Sequence, residues 1–201
     1  GLVLVILICG DIVAVMTYRR DASWSHLMRL FPWAAAGVVI GYFALGRVND
    51  SQMRHLIGFI LLFLVVFQYI RSRRLAASDG ESAPMQPWLA PLAGVTAGFT
   101  TMVANAAGPV MVLYLLAMRL PKILFVGTAA WYFFILNIFK LPFSASLGLI
   151  NPSSLSVALW LGPFAMLGAL VGRPVVNRLN QRIFELIALG LTFGAALLMV
   201  R

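Results

Sequence analysis

The chain has 201 residues, of which 62% are hydrophobic and only 10% charged, with 15 Lys and Arg against 6 Asp and Glu for a formal charge of +9. A soluble domain of this size runs nearer ~45–50% apolar and ~25% charged, so a free soluble enzyme and a disordered chain are both excluded. What remains is an all-α integral membrane protein, a polytopic helical bundle whose outer face meets lipid.

Residues 1–18 form the first apolar run, stopped by Arg19, Arg20 and Asp21. The run opens on a Gly, without an initiator Met or a basic leader. It therefore reads as a membrane helix with its beginning missing, not as a signal peptide. Further helices are expected over 27–46 and 55–70. The polar stretch 71–87, with Ser, Asp, Gly, Glu and Pro, divides the chain. The remainder of a first transmembrane repeat falls over 1–74, the linker over 75–87 and a second repeat over 88–201. Residues 88–118 are one long apolar stretch. Helices over 123–145, 155–171 and 183–200 complete the set, since a spanning helix needs ~20 mostly apolar residues.

A faint internal repeat supports the division. Pro32, Gly37, Gly41, Arg47 and Asn49 recur at a constant offset as Pro163, Gly168, Gly172, Arg178 and Asn180. Charge decides how 88–118 runs. If it crosses once, the basic residues divide almost evenly between the two faces, against the rule that cytoplasmic loops hold the excess. If it dips in and returns, breaking near residues 105–109, one face collects Arg19, Arg20, Arg29, Arg71, Arg73, Arg74, Arg119, Lys122, Arg173, Arg178 and Arg182. The other face keeps Arg47, Arg54 and Arg201. The second arrangement also inverts the repeat. The expected architecture is therefore two inverted repeats, with a broken, re-entrant helix pair at the start of the second and the basic loops cytoplasmic.

The segment 94–109, G-V-T-A-G-F-T-T-M-V-A-N-A-A-G-P, is poor in Leu and Ile and rich in small residues. Small residues let backbones approach closely. Gly108-Pro109 suits the end of one helix and the start of the next. Irregular backbone at membrane depth survives only when buried or lining a wet cavity. Freed amides at the start of a half-helix there make an anion site, to which Thr100, Thr101 and Asn105 add donors. The alternative is a tightly packed helix pair without a ligand.

Gly127 and Thr128 open the helix over 123–145 with another small, hydroxylated spot. Asn137 and Lys140 share one face of it. Lys140 is either a buried counter-charge for an anion or snorkels to the interface from its helix end. Asp11 sits inside the first apolar run, where an ionisable group is costly and has a partner or a task. It is a proton-coupling candidate, or it pairs with Arg19, Arg20 or a neighbouring helix.

Spacings of G-x-x-x-G at Gly37/Gly41, Gly94/Gly98, Gly168/Gly172 and Gly190/Gly194 favour close helix crossings. Trp24, Trp33, Trp88 and Trp160 fall near predicted helix ends, where aromatic belts form, whereas Trp131 reads as core. Cys9 alone excludes an internal disulfide, and His26 and His55 are too few for a metal. No cofactor is expected, no enzyme motif is present, and the basic residues read as topology charge, not a nucleic-acid surface.

The second half resembles the TauE/SafE family of sulfite exporters. The likeness lies in A-G-F-T-T-M-V-A-N-A-A-G-P over 97–109, Y-L-L-A-M-R-L-P-K over 114–122, G-T-A-A-W over 127–131 and N-I-F-K-L-P-F over 137–143. G-D-I-V-A-V-M-T-Y-R-R over 10–20, with Trp24, Pro32, Gly37 and Gly41, is similar to that family's first repeat. The resemblance implies export of sulfite, a sulfonate or a related organosulfur anion across the bacterial inner membrane. It implies a substrate segment on Thr100, Thr101, Asn105, Gly108 and Pro109, a short motif on Gly127 and Thr128, and a polar pair on Asn137 and Lys140. The first repeat's matching glycine-rich segment is absent, which fits an N-terminal truncation. Ala106 and Ala107 stand where many relatives carry further glycines. The expected partners are a small anion and the lipid bilayer, with a homo-oligomer left open. The competing functions are transport of another small carboxylate or inorganic anion, and a non-transporting membrane scaffold.

Overall fold

The computed structural model describes residues 1–45, 58–59, 62, 66 and 88–200. The expected linker 75–87, most of the helix over 55–70, and Arg47 and Asn49 of the repeat lie outside the described residues. Among the described residues the chain is all-helical: α1 Leu2–Thr17, α2 Trp24–Leu45, α3 Leu89–Ala104, α4 Ala107–Ala117, α5 Lys122–Ser146, α6 Pro152–Arg178 and α7 Gln181–Val200. Helices are forced by the solvent, because in hydrocarbon every backbone N–H and C=O must find a partner within its own segment. Among the described residues, α2, α5 and α7, and α6 from Leu155 onward, are long and apolar enough to cross a membrane.

The helices run past residues that would stop them in water. Pro32 lies inside α2, Pro142 inside α5, and Pro163 and Pro174 inside α6. Consequently α6 extends beyond the expected 155–171 at both ends. Helix α5 is closed instead by Gly148, whose φ of +69° only glycine adopts freely. The Gly148 amide donates to Ala145 O at 2.9 Å and the Leu149 amide to Ser144 O at 3.1 Å, a Schellman closure. Trp24 and Trp88 stand at helix starts, as expected. Trp33 and Trp160 instead lie well inside α2 and α6, both exposed.

The described chain forms two compact units, each drawing on both predicted repeats. One comprises Gly1–Phe31 and Pro121–Gln181. Here α1 packs mainly on α6 and also on α5. Two cations cap helix ends, where exposed carbonyls and the helix dipole favour positive charge. The Arg173 guanidinium donates to Thr17 O at the end of α1, lies 3.9 Å from Asp21 and sits 5.3 Å above the Tyr18 ring. Lys122 Nζ donates to Val176 O at 3.0 Å and Asn177 O at 3.2 Å, and also to Leu179 O, closing α6. The Lys122 amide donates to Gln181 Oε1 at 2.8 Å.

The other unit comprises Pro32–Leu120 and Arg182–Arg201. Its helices α2 and α3 meet where glycines remove side chains. A Cβ at Gly98 would overlap the Ala34 carbonyl, one at Gly37 would overlap the Val95 carbonyl, and one at Gly41 would stand 2.9 Å from Met102 Cβ. The expectation of close crossings holds for these spacings. Among the described residues it finds no support at Gly168, Gly172, Gly190 and Gly194, where an added Cβ would meet nothing within 4 Å. These sit on the largely exposed helices α6 and α7, where Leu159, Trp160, Phe164 and Leu191 face outward.

The pair α3 and α4 is a hairpin. Laid end to end, helices of 16 and 11 residues would hold Leu89 and Ala117 about 40 Å apart. Both line one cleft, together with Leu92, Ala93, Val110, Leu113 and Tyr114. The long apolar stretch therefore folds back on itself.

Gly98→Ala is expected to wedge α2 from α3 and cost about 1–3 kcal/mol. Gly168→Ala should leave stability unchanged or raise it, since alanine is the better helix former. Thermal unfolding in detergent separates them; equal melting temperatures would refute the close crossing at Gly98.

Candidate functional site

The hairpin turns on one residue. Asn105 ends α3 with φ 53° and ψ 33°, the left-handed conformation that Asn tolerates better than other side-chain-bearing residues. Its amide donates to Thr101 O at 3.0 Å, and the Ala106 amide donates to Thr100 O at 3.1 Å. Those bonds satisfy the last carbonyls of α3. No equivalent serves the start of α4. The amides of Ala107 and Gly108 find no hydrogen-bond acceptor among the described residues, and no side chain caps the helix. Pro109 has no N–H to offer, so those two amides are the donors left at this end. Ala107 is buried, whereas a Cβ at Gly108 would meet nothing within 4 Å among the described residues.

The predicted residues around the turn have different surroundings. Thr101 is buried and Asn105 exposed. Thr100 is wholly buried, and its hydroxyl donates back to Thr96 O at 2.8 Å and Ala97 O at 3.2 Å within its own helix.

Gly127, Thr128, Asn137 and Lys140 belong to the other unit, with Asp11. A Cβ at Gly127 would overlap the Asp21 carbonyl. Next to it, the Thr128 hydroxyl accepts the Ser23 amide at 2.9 Å and donates to Leu124 O at 2.6 Å. The Gly-Thr pair therefore clamps the turn between α1 and α2 onto α5. Asn137 Nδ2 donates to Asp11 Oδ2 at 2.7 Å. The partner of Asp11 thus comes from α5, while Arg19 and Arg20 are exposed. Lys140, one helical turn beyond Asn137, is only 1% exposed, and its charge lies within electrostatic reach of Asp11. Burial rules out snorkelling, so Lys140 is a cation held inside the unit. Trp131 packs on Trp24 at 5.1 Å and on Phe134 at 6.3 Å, consistent with a core role.

Two features were not anticipated from sequence. Arg173 and Lys122 read as topology charge, yet both also cap helices through contacts distant in sequence. Tyr132 was passed over, although it lies on the buried face of α5 four residues after Thr128. That spacing was the available signal.

Several long apolar helices and a broken helix pair define a polytopic helical membrane protein. The family model described as "Sulfite exporter TauE/SafE" matches residues 1–199, and the chain belongs to that family. It is therefore a multi-pass protein of a membrane transporter class whose members carry sulfur anions. No curated protein and no solved structure matches the chain.

Asn105→Gly should preserve the hairpin, whereas Asn105→Val should cost roughly 1–2 kcal/mol for a branched residue held left-handed. The melting temperatures in detergent check this. An unaltered value for Asn105→Val would show that the turn does not depend on that conformation.

Proposed function

We propose that this protein exports sulfite, a sulfonate or a related small organosulfur anion across the bacterial inner membrane. The observation that carries the reading is the start of α4, where the Ala107 and Gly108 amides lack acceptors among the described residues and a Cβ at Gly108 would meet nothing within 4 Å. Unpaired amides and the positive end of a helix dipole favour an oxyanion, most strongly where water is scarce. In this reading Thr101, Asn105, Gly108 and Pro109 line the anion, and the hairpin tip lies at membrane depth. Thr100, Gly127 and Thr128 serve by holding backbones in place.

The other unit supplies charge handling. Lys140 acts as counter-charge, Asn137 as a donor, and Asp11 as the group that couples flux to protons. Family membership, the Asn137–Asp11 hydrogen bond and the electrostatic reach between Asp11 and Lys140 support these roles. The two inverted repeats, with the basic loops cytoplasmic, give the protein its orientation, supported by the distribution of Arg and Lys.

Purified protein in liposomes is expected to move sulfite or a sulfonate such as taurine or sulfoacetate. Gly108→Leu, whose side chain enters open space, should leave the melting temperature nearly unchanged and reduce flux at least about ten-fold, the scale of a lost hydrogen bond to a charged group. Flux at the wild-type level in that variant would sink the α4 site. No flux of any anion would favour a scaffold, and flux of carboxylates alone would favour the other transporter reading.

Replacing Asp11 by Asn should abolish pH-driven flux while leaving exchange of anion for anion. Unaltered pH-driven flux would end its coupling role. With Cys9 replaced by Ser, single cysteines at Ser78 and Ser153 should react with an impermeant maleimide from the cytoplasmic and external sides respectively.

A further inference from the structure

Along α5 the buried residues include Thr128, Tyr132, Leu136, Asn137, Lys140 and Ser144. At about 100° per residue, Thr128, Tyr132, Leu136, Lys140 and Ser144 follow a line that winds roughly 160° round the helix from its first member to its last, with Asn137 beside Leu136. All but Leu136 carry a hydrogen-bond donor. From Thr128 to Ser144 the line climbs about 24 Å, most of the ~30 Å hydrocarbon thickness.

The donors differ in how they are occupied. The Thr128 hydroxyl is committed to Leu124 O and the Ser23 amide, and Asn137 to Asp11. Tyr132 is fully buried, with 0% exposure, and among the described residues its hydroxyl has no hydrogen-bond partner, a state shared in the same unit by the Tyr18 hydroxyl and Trp131 Nε1. The Tyr132 ring stacks on Phe31 at 5.8 Å and 13° and meets Phe133 edge-on at 5.5 Å. Phenylalanine would make the same ring contacts. A buried hydroxyl without a partner costs roughly 1–3 kcal/mol, and such an orphan in a well-packed unit calls for a reason.

We infer that the Tyr132 hydroxyl donates to the transported oxyanion as it passes along α5, making Tyr132 a specificity-determining residue about 12 Å along the helix from Lys140. A phenol suits the task. It offers one neutral donor, which recognises a sulfite or sulfonate oxygen without trapping the anion as a second fixed cation would. The inference rests on the anion-exporter reading.

The test is Tyr132→Phe in the full chain, compared with wild type in sulfite-loaded liposomes. The expected result is a KM for sulfite raised about ten-fold or more, the scale of one hydrogen bond to a charged partner. The thermal stabilisation produced by added sulfite should shrink in parallel. Without sulfite, the melting temperature should equal or exceed that of wild type, because an orphan polar atom has been removed. A variant with wild-type KM and wild-type sulfite stabilisation overturns the role of Tyr132. A lower melting temperature with those two readouts unchanged assigns the hydroxyl a structural role and overturns it equally. Wild-type protein that moves neither sulfite nor a sulfonate overturns the exporter reading, and this inference with it.

Discussion

Hydrocarbon cannot hydrogen-bond a peptide group, and the rest of the structure depends on that constraint. Each unpaired amide or carbonyl in such a solvent costs several kcal/mol, so the chain must be helical wherever it meets lipid. Even the internal prolines of α2, α5 and α6 are absorbed without ending their helices. Against that background, one place where helical bonding fails stands out. At Asn105 the chain turns left-handed, pays its debts to the carbonyls of Thr100 and Thr101, and leaves the first amides of α4 unserved.

The same constraint governs the ends of helices. Carbonyls left over at the end of α1 receive the Arg173 guanidinium, and those at the end of α6 receive Lys122. These two cations thereby hold the unit together through helix termini, where the dipole favours positive charge.

Helix α5 commits much of its polarity inside the unit. Gly127 and Thr128 hold the turn between α1 and α2, and Asn137 donates to Asp11. Lys140 is kept out of water within electrostatic reach of Asp11, an arrangement that stabilises less than well-packed apolar groups would.

Much of this was legible in the residues themselves. Among the described residues, apolar runs placed the helices to within about three residues, except at the end of α6, which runs on to Arg178. The small-residue segment ending in Gly108-Pro109 located the break, because few sequences can leave a helix at that depth. The clamp at Thr128 was not legible, since its partner is an amide 105 residues away. Nor was the fate of Lys140, whose position before Pro142 suggested a helix end, although α5 continues to Ser146. The glycine spacings on α2 and α6 look alike in sequence, yet only those on α2 meet a neighbouring backbone.

The order of residues by itself determined that the chain is a membrane-spanning helical protein, where its long apolar stretch breaks, and which family it belongs to. These follow from local hydrophobicity and from backbone chemistry within a few residues. The tertiary structure alone decided which polar groups are committed and which remain available: Asp11 to Asn137 across 126 residues, Arg173 to Thr17 across 156, and the Tyr132 hydroxyl to nothing. Hydrogen-bond satisfaction depends on what packing brings within about 3 Å, and distance along the chain does not encode it.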